Sequence, residues 1–128
     1  MAERSYLPRL DDIVVAIEHV QTELMDVPLP VFEADWRKRY VVERGLEIIS
    51  EASRYLPDDL KARHPEIPWP KVAGIGNVLR HDYEGISPSI MWTLARNDLP
   101  PLERVCRAEL AAGMAREQDS EGTGRGSS

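Results

Sequence analysis

Cysteine is almost missing from these 128 residues: Cys106 stands alone, so no internal disulfide can staple the chain. A domain without that framework is expected in a reducing, cytoplasmic compartment. Phenylalanine is equally scarce, with one residue, and aromatics make up only 6% of the chain, a poor supply for a β-sandwich core. No apolar run approaches the roughly 20 residues that a membrane-crossing helix needs. Pro8, Arg9, Asp11 and Asp12 interrupt the region where a secretory leader would carry its apolar stretch. No membrane association is therefore expected. A basic excess is missing too. The net charge of −6 is opposite to that of a generic nucleic-acid binder, so any action on RNA would need a local basic cluster. Finally, no pair of His or Cys has zinc-ligand spacing and no calcium loop occurs, so neither a metal nor another cofactor is expected.

What the chain does have is Leu, Ile, Val and Ala at helical spacing. Leu10, Ile13, Val14, Ile17, Val20 and Leu24 recur at steps of three and four and define one apolar helix face. The prolines of Val27-Pro28-Leu29-Pro30 stop that helix. Asp35 is placed to cap a second helix running to about Tyr55. Val42, Gly45, Leu46, Ile49, Ala52 and Leu56 face its inside, and Val41 and Ile48 widen the stripe. A short helical piece is expected over residues 58–63, then a proline-rich connection from His64 to Pro70. A third long helix follows, with Val72, Ile75, Val78 and Leu79 inward, ending by Gly85. Ser87-Pro88 opens a fourth that uses Ile90, Met91 and Leu94. Asp98 caps a fifth, which tolerates Pro100 and Pro101 in its first turn and continues through Leu102, Val105 and Leu110. From Gly113 the composition turns polar and rich in Gly and Ser, which predicts a disordered tail. The expected architecture is all-α: one four- to five-helix bundle over residues 1–112, with a polar tail over 113–128.

Most charged residues read as solvated helix surface, but residues 77–83 differ. Asn77-Val78-Leu79-Arg80-His81-Asp82-Tyr83 gathers an amide, a guanidinium, an imidazole, a carboxylate and a phenol between apolar anchors. Arg80 can hold a phosphate with paired donors, and His81 titrates near neutrality and can move a proton. Asn77 precedes His81 by one helical turn, so both can project from one face. An acid–base histidine beside a phosphate-holding arginine suits metal-free RNA cleavage, in which the ribose 2′-hydroxyl attacks the neighbouring phosphate. A two-fold dimer would double the set across one cleft. The same string at a helix end equally serves capping and surface pairing, with both cations favoured by the helix dipole.

The remaining candidates read as structural. Trp36, Trp69 and Trp92 are expected to pack, with one of them available to line a dimer contact. Cys106 is expected in the core, His19 on a helix surface and His64 in the connection. Gly74-Ile75-Gly76 lacks the preceding strand and the spacing of a phosphate loop.

Five blocks in one order carry a resemblance. They are Leu10-Asp11-Asp12-Ile13, Glu47-Ile48-Ile49-Ser50-Glu51-Ala52, Pro65-Glu66-Ile67-Pro68-Trp69, the Asn77–Tyr83 segment, and Asn97-Asp98-Leu99-Pro100-Pro101-Leu102. Over about residues 8–110 the chain resembles the HepT-like family of the HEPN (higher eukaryotes and prokaryotes nucleotide-binding) superfamily. The resemblance implies a helical bundle that forms homodimers, with an RNA-cleaving cleft at the dimer interface. It further implies a toxin of a toxin–antitoxin pair. The antitoxin would be a minimal nucleotidyltransferase that transfers AMP to the tyrosine of an Arg-x4-His-x-Tyr motif. On that motif His81 matches the histidine, Tyr83 the tyrosine that accepts AMP, and Asn77 the polar residue after the arginine. The arginine position itself is Gly76. Arg80 lies one turn further on the same helix face, and its side chain leans back toward the helix start, which makes it the replacement candidate. The expectation is a metal-independent endoribonuclease toxin; the alternative is a nuclease-inactive partner of a nucleotidyltransferase.

Overall fold

A computed structural model describes the backbone of residues 6–81 and 87–126, and the side chains of residues 6–79 and 87–119. Seven helices occur among the described residues: α1 (Leu7–Leu24), α2 (Leu29–Ala34), α3 (Trp36–Ser53), α4 (Asp58–Arg63), α5 (Trp69–His81), α6 (Pro88–Asn97) and α7 (Leu99–Gly126). Five are long and two are single short pieces, and no strand occurs among the described residues. No helix is long and apolar enough to cross a membrane, among the described residues.

The centre of the bundle is α1. Its apolar stripe from Leu10 to Leu24 is buried at every position the spacing marks, together with Ala16. Helix α3 lies antiparallel on it: Lys38 Nζ reaches Glu23 Oε1 at 3.3 Å, and the Arg9 guanidinium sits 3.9 Å from the Tyr55 ring centroid. Between those ends Gly45 faces α1 at close range. A Cβ there would run into the Val20 side chain, with the Ala16 carbonyl beside it. Helix α7 covers another side of α1, also antiparallel. Gln21 donates to Glu103 at 3.1 Å, Arg107 to Glu18 at 2.8 Å, and Arg116 to the Tyr6 hydroxyl at 2.9 Å.

Local chemistry explains the helix starts. Asp35 caps α3 as its position implies: one carboxylate oxygen accepts the amides of Arg37 at 3.1 Å and Lys38 at 3.2 Å. Ser87 precedes α6 and Pro88 opens it, but the Ser87 hydroxyl pairs with Ser89 at 2.8 Å instead of capping an amide. The Asp98 amide donates to Leu94 and closes α6, while its carboxylate takes Lys71 at 2.7 Å.

Several expectations need correcting. The proline pair after α1 does not lead straight to Asp35, because α2 intervenes with Pro30 in its first turn and Phe32 fully buried. Helix α5 begins at Trp69, inside the expected connection. Pro70 fits a first turn, whose amides need no helical partner, and the Trp69 indole donates to the Lys61 and His64 carbonyls. Val41, Val78 and Ile90 are exposed at 40%, 50% and 50% and do not join the inner stripes assigned to them. Trp36 is exposed as well, whereas Trp69 is buried and Trp92 is half-buried with its indole on the Val27 carbonyl. Apart from these corrections, the backbone of α7 continues to Gly126, and of the tail expected over 113–128 the side chains from 120 onward lie outside the described residues. Ala, Glu, Arg and Gln at 111–118 all favour helix, and Gly113 lies against Leu7 where a side chain would collide. Among the described residues Gly113 is the last buried position of α7.

Candidate active site

Helix α5 carries the chemical segment, and α3 fixes its height. The Ser50 hydroxyl accepts the Gly76 amide at 2.9 Å and donates to the Ala73 carbonyl at 2.7 Å. Arg54 adds a second donor to Ala73 at 3.0 Å, and the Ser53 hydroxyl donates to the Ser50 carbonyl at 2.7 Å. Ser50 and Ser53 are each only 1% exposed, so their hydroxyls bond where little water competes, whereas the Arg54 bond is exposed. Their order shows that α3 and α5 run antiparallel. The anchor sits at Gly76, and His81 follows at a rise of about 7.5 Å along α5.

The sequence-derived site residues divide at this anchor. Asn77 is exposed beside Val78, and Leu79 is buried and holds the last described turn to the core. Arg80 and His81 complete the backbone of α5, which places Asn77 and His81 one turn apart on one helix. The side chains of Arg80 and His81 lie outside the described residues, as do Asp82 and the AMP-acceptor candidate Tyr83. Gly76, the position where the resemblance looks for an arginine, is buried in the α3–α5 contact. With no side chain, its backbone can come within hydrogen-bonding distance of Ser50.

A second constellation escaped the sequence reading. Glu109 of α7, 8% exposed, receives Arg63 through two bonds of 2.8 and 3.2 Å. It also meets His64 Nε2 at 2.6 Å. His64 Nδ1 lies 3.6 Å from Glu66, and Arg63 reaches Asp59 at 3.4 Å. The paired Arg63 donors hold the Glu109 carboxyl below its ordinary range, with His64 adding to the effect. Nearby Cys106 is fully buried, and burial pushes its thiol up to about 12, which leaves it inert as a nucleophile. A histidine, an arginine and a carboxylate in contact have the composition of a catalytic set. Here the arginine and the histidine are both engaged by one carboxylate, so the arrangement ties α4 and its following turn to α7. No local signal could have revealed it, because the partners lie 45 and 46 residues apart. Among the described residues no group of His, Cys, Asp and Glu is arranged to hold a metal ion.

Comparison with known proteins adds to this geometry. A family model described as ribonuclease HepT-like matches residues 13–109, which include the whole Asn77–Tyr83 segment. A protein of Thermococcus cleftensis named a probable ribonuclease HepT is 37% identical over 101 residues, covering 79% of this chain and 92% of its own. MJ1380 of Methanocaldococcus jannaschii, named a candidate RNase, is 34% identical over 104 residues, covering 81% and 95% of the two chains. TTE0752 of Caldanaerobacter subterraneus, also named a candidate RNase, is 30% identical over 97 residues, or 76% and 87%. No solved structure matches the chain. An all-helical bundle, the ordered sequence blocks and a family match across most of its length lead to one conclusion: this chain belongs to the HepT-like ribonuclease family.

Proposed function

We propose that this chain is a metal-independent endoribonuclease that works as a homodimer in the cytoplasm, as the toxin of a toxin–antitoxin pair. His81 serves as general acid and base, Arg80 contacts the scissile phosphate and Asn77 positions the ring or the substrate. Tyr83 is the hydroxyl to which a minimal nucleotidyltransferase antitoxin transfers AMP, which silences the site. The observation that carries this reading is the family match running through the segment that holds an imidazole, a guanidinium, an amide and a phenol within seven residues. The chemistry is self-sufficient. The ribose 2′-hydroxyl loses its proton to one imidazole as its oxygen bonds to phosphorus, the guanidinium stabilises the developing charge, and a protonated imidazole from the second subunit donates its proton to the 5′-oxygen as the P–O5′ bond breaks. The names of the relatives support an RNA substrate, and exposed Val78 beside Asn77 suits a subunit contact.

A second reading has one observation in its favour: Gly76 is buried against α3, so the usual arginine position cannot contribute a guanidinium. On that reading the chain is nuclease-inactive and partners a nucleotidyltransferase. Incubating the purified protein with labelled single-stranded RNA separates the two. Cleavage that disappears in His81→Ala supports the ribonuclease. No cleavage, with AMP found on Tyr83 after incubation with the nucleotidyltransferase and an AMP donor, supports the inactive partner.

A further inference from the structure

Helix α5 is intrinsically weak where it meets α3. Gly74 and Gly76 stand within three residues of each other, and glycine is the poorest helix former apart from proline. At Gly76 the missing side chain lets the amide reach the Ser50 hydroxyl at 2.9 Å. At Gly74 packing makes no such demand, since a Cβ there would meet nothing within 4 Å. Beyond Gly76, Asn77 and Val78 are exposed, and Leu79 is the one buried side chain among the described residues of α5. The turn that carries His81 is thus tied to the bundle by Leu79 and by the bonds that α3 makes to Ala73 and Gly76.

Those bonds join α5 at its own hydrogen-bond ladder. The Ser50 hydroxyl donates to the Ala73 carbonyl at 2.7 Å and accepts the Gly76 amide at 2.9 Å. In a regular α-helix these two groups belong to adjacent rungs: the Ala73 carbonyl accepts the Asn77 amide, and the Gly76 amide donates to the Val72 carbonyl. Arg54 donates to the same Ala73 carbonyl at 3.0 Å. A carbonyl has two lone pairs, so two donors from α3 compete with the helix's own amide for that oxygen. A side chain entering the ladder is one of the few causes of a bend in a helix. The direction of the turn that follows therefore depends on what α3 supplies.

Ser53 supplies a contrast within the same helix. It is as buried as Ser50, and its hydroxyl also donates to a carbonyl at 2.7 Å. That carbonyl is the one of Ser50, so the bond stays inside α3 and joins no second element. Of two equally buried hydroxyls, the Ser50 hydroxyl alone reaches the helix that bears the chemical segment. The lever beyond it is short but sensitive. Over the rise of about 7.5 Å from Gly76 to His81, a change of about 10° in direction moves the His81 backbone by about 1.3 Å. Misplacing a catalytic group by about 1 Å costs about 100-fold in rate.

We infer that Ser50, seconded by Arg54, is a positioning residue for His81: its hydroxyl sets the direction in which the last turn of α5 presents the imidazole, a role that rests on the ribonuclease reading for the reaction it serves. Ser50 touches no substrate and moves no proton. It acts through the backbone of Ala73 and Gly76, and its removal displaces the catalytic group without removing it.

The test is steady-state cleavage of a labelled single-stranded RNA by the full chain, with kcat and KM resolved at a temperature where the variants are folded. Ser50→Ala is expected to lower kcat at least about 10-fold and to leave KM near the wild-type value, because a displaced imidazole still lets RNA bind. Ser53→Ala is expected to lower the melting temperature comparably while kcat holds. Arg54→Met, at an exposed position, is expected to lower kcat by less than Ser50→Ala does, and it decides the matter if Ser50→Ala does not fold. Backbone amide shifts by NMR give a readout apart from activity: those of Arg80 and His81 are expected to move in Ser50→Ala and to stay in Ser53→Ala. Unchanged kcat in Ser50→Ala, or in Arg54→Met where the alanine variant does not fold, overturns the assignment, as do unmoved Arg80 and His81 amides. An equal loss of kcat in Ser53→Ala overturns it in favour of a general loosening of the bundle. Amides that move as expected, in a wild type that cleaves no RNA, would sink the ribonuclease reading alone, whereas full kcat in Ser50→Ala would sink only the positioning role.

Discussion

Two clusters of charged residues in this molecule look alike in composition and differ in what their partners leave available. At the junction of α4 and α7, Arg63, His64 and Glu109 satisfy one another within 2.6 to 3.2 Å, with Glu109 almost out of solvent. At the start of α3, Arg39 has a buried Nε without a partner among the described residues, and Trp36 and Tyr40 face water. The first arrangement spends its polar groups on the fold, where a carboxylate held by an arginine and a histidine has no capacity left for a substrate. The second sets Tyr40 edge-on to Trp36 and Arg37 over the Trp36 ring, contacts made in water that tie no other element to α3. Chemical residue types in contact are therefore no sign of function until their partners are counted.

Several substitutions would break or sharpen that contrast. The largest effect is expected at the α5 end, where Arg80→Ala should reduce RNA cleavage about 100-fold or more if Arg80 replaces the arginine missing at position 76. Single-turnover rates at saturating enzyme would read it directly, and an unchanged rate would show that another group holds the phosphate. Glu109→Ala should leave cleavage at 25 °C intact but lower stability by about 1–3 kcal/mol, because it strands Arg63 and His64 around an empty carboxylate site. A urea titration gives the number; a loss of cleavage with no loss of stability would reverse the roles assigned to the two clusters. Ser50→Ala removes the hydroxyl that bridges the Gly76 amide and the Ala73 carbonyl, and should cost about 1 kcal/mol in the same assay.

The smallest effect expected is one of pH. The Glu109 carboxyl is held below its ordinary range in the folded chain, chiefly by Arg63. Its contribution to stability is therefore present above the unfolded value of about 4.3 and is lost as pH falls through the lower folded value. Melting temperatures of the wild type and Glu109→Gln should differ most above pH 5 and converge as the medium becomes more acid. A constant difference across that range would mean that the carboxylate's charge does not hold the junction.

The bundle itself was legible because burial imposes a period on sequence. The stripe of α1, the limits of α4 and the Asp35 cap each follow from a spacing or a single side chain. Helix α2 was not legible: six residues with a proline among them carry too few apolar positions to show a period. Val41, Val78 and Ile90 mislead for the opposite reason, since an apolar residue at an amphipathic edge has the same letter whether it faces the core or water. The α5 segment announced itself by composition, but the depth of Gly76 came only from its contact with Ser50. The exposure of Trp36 was hidden because tryptophan is normally read as core. The α4–α7 junction was hidden because its partners meet only after the chain has folded back on itself.

The central claim is that residues at the end of α5 cleave RNA without a metal. Its most direct measurement is the cleavage of labelled single-stranded RNA in excess EDTA by the wild type, His81→Ala and Glu109→Gln at a temperature where all three are folded. Products ending in a 2′,3′-cyclic phosphate are expected for the wild type and for Glu109→Gln, with a loss of at least about 100-fold in His81→Ala. Equal cleavage by the wild type and His81→Ala, or none by the wild type, would contradict it.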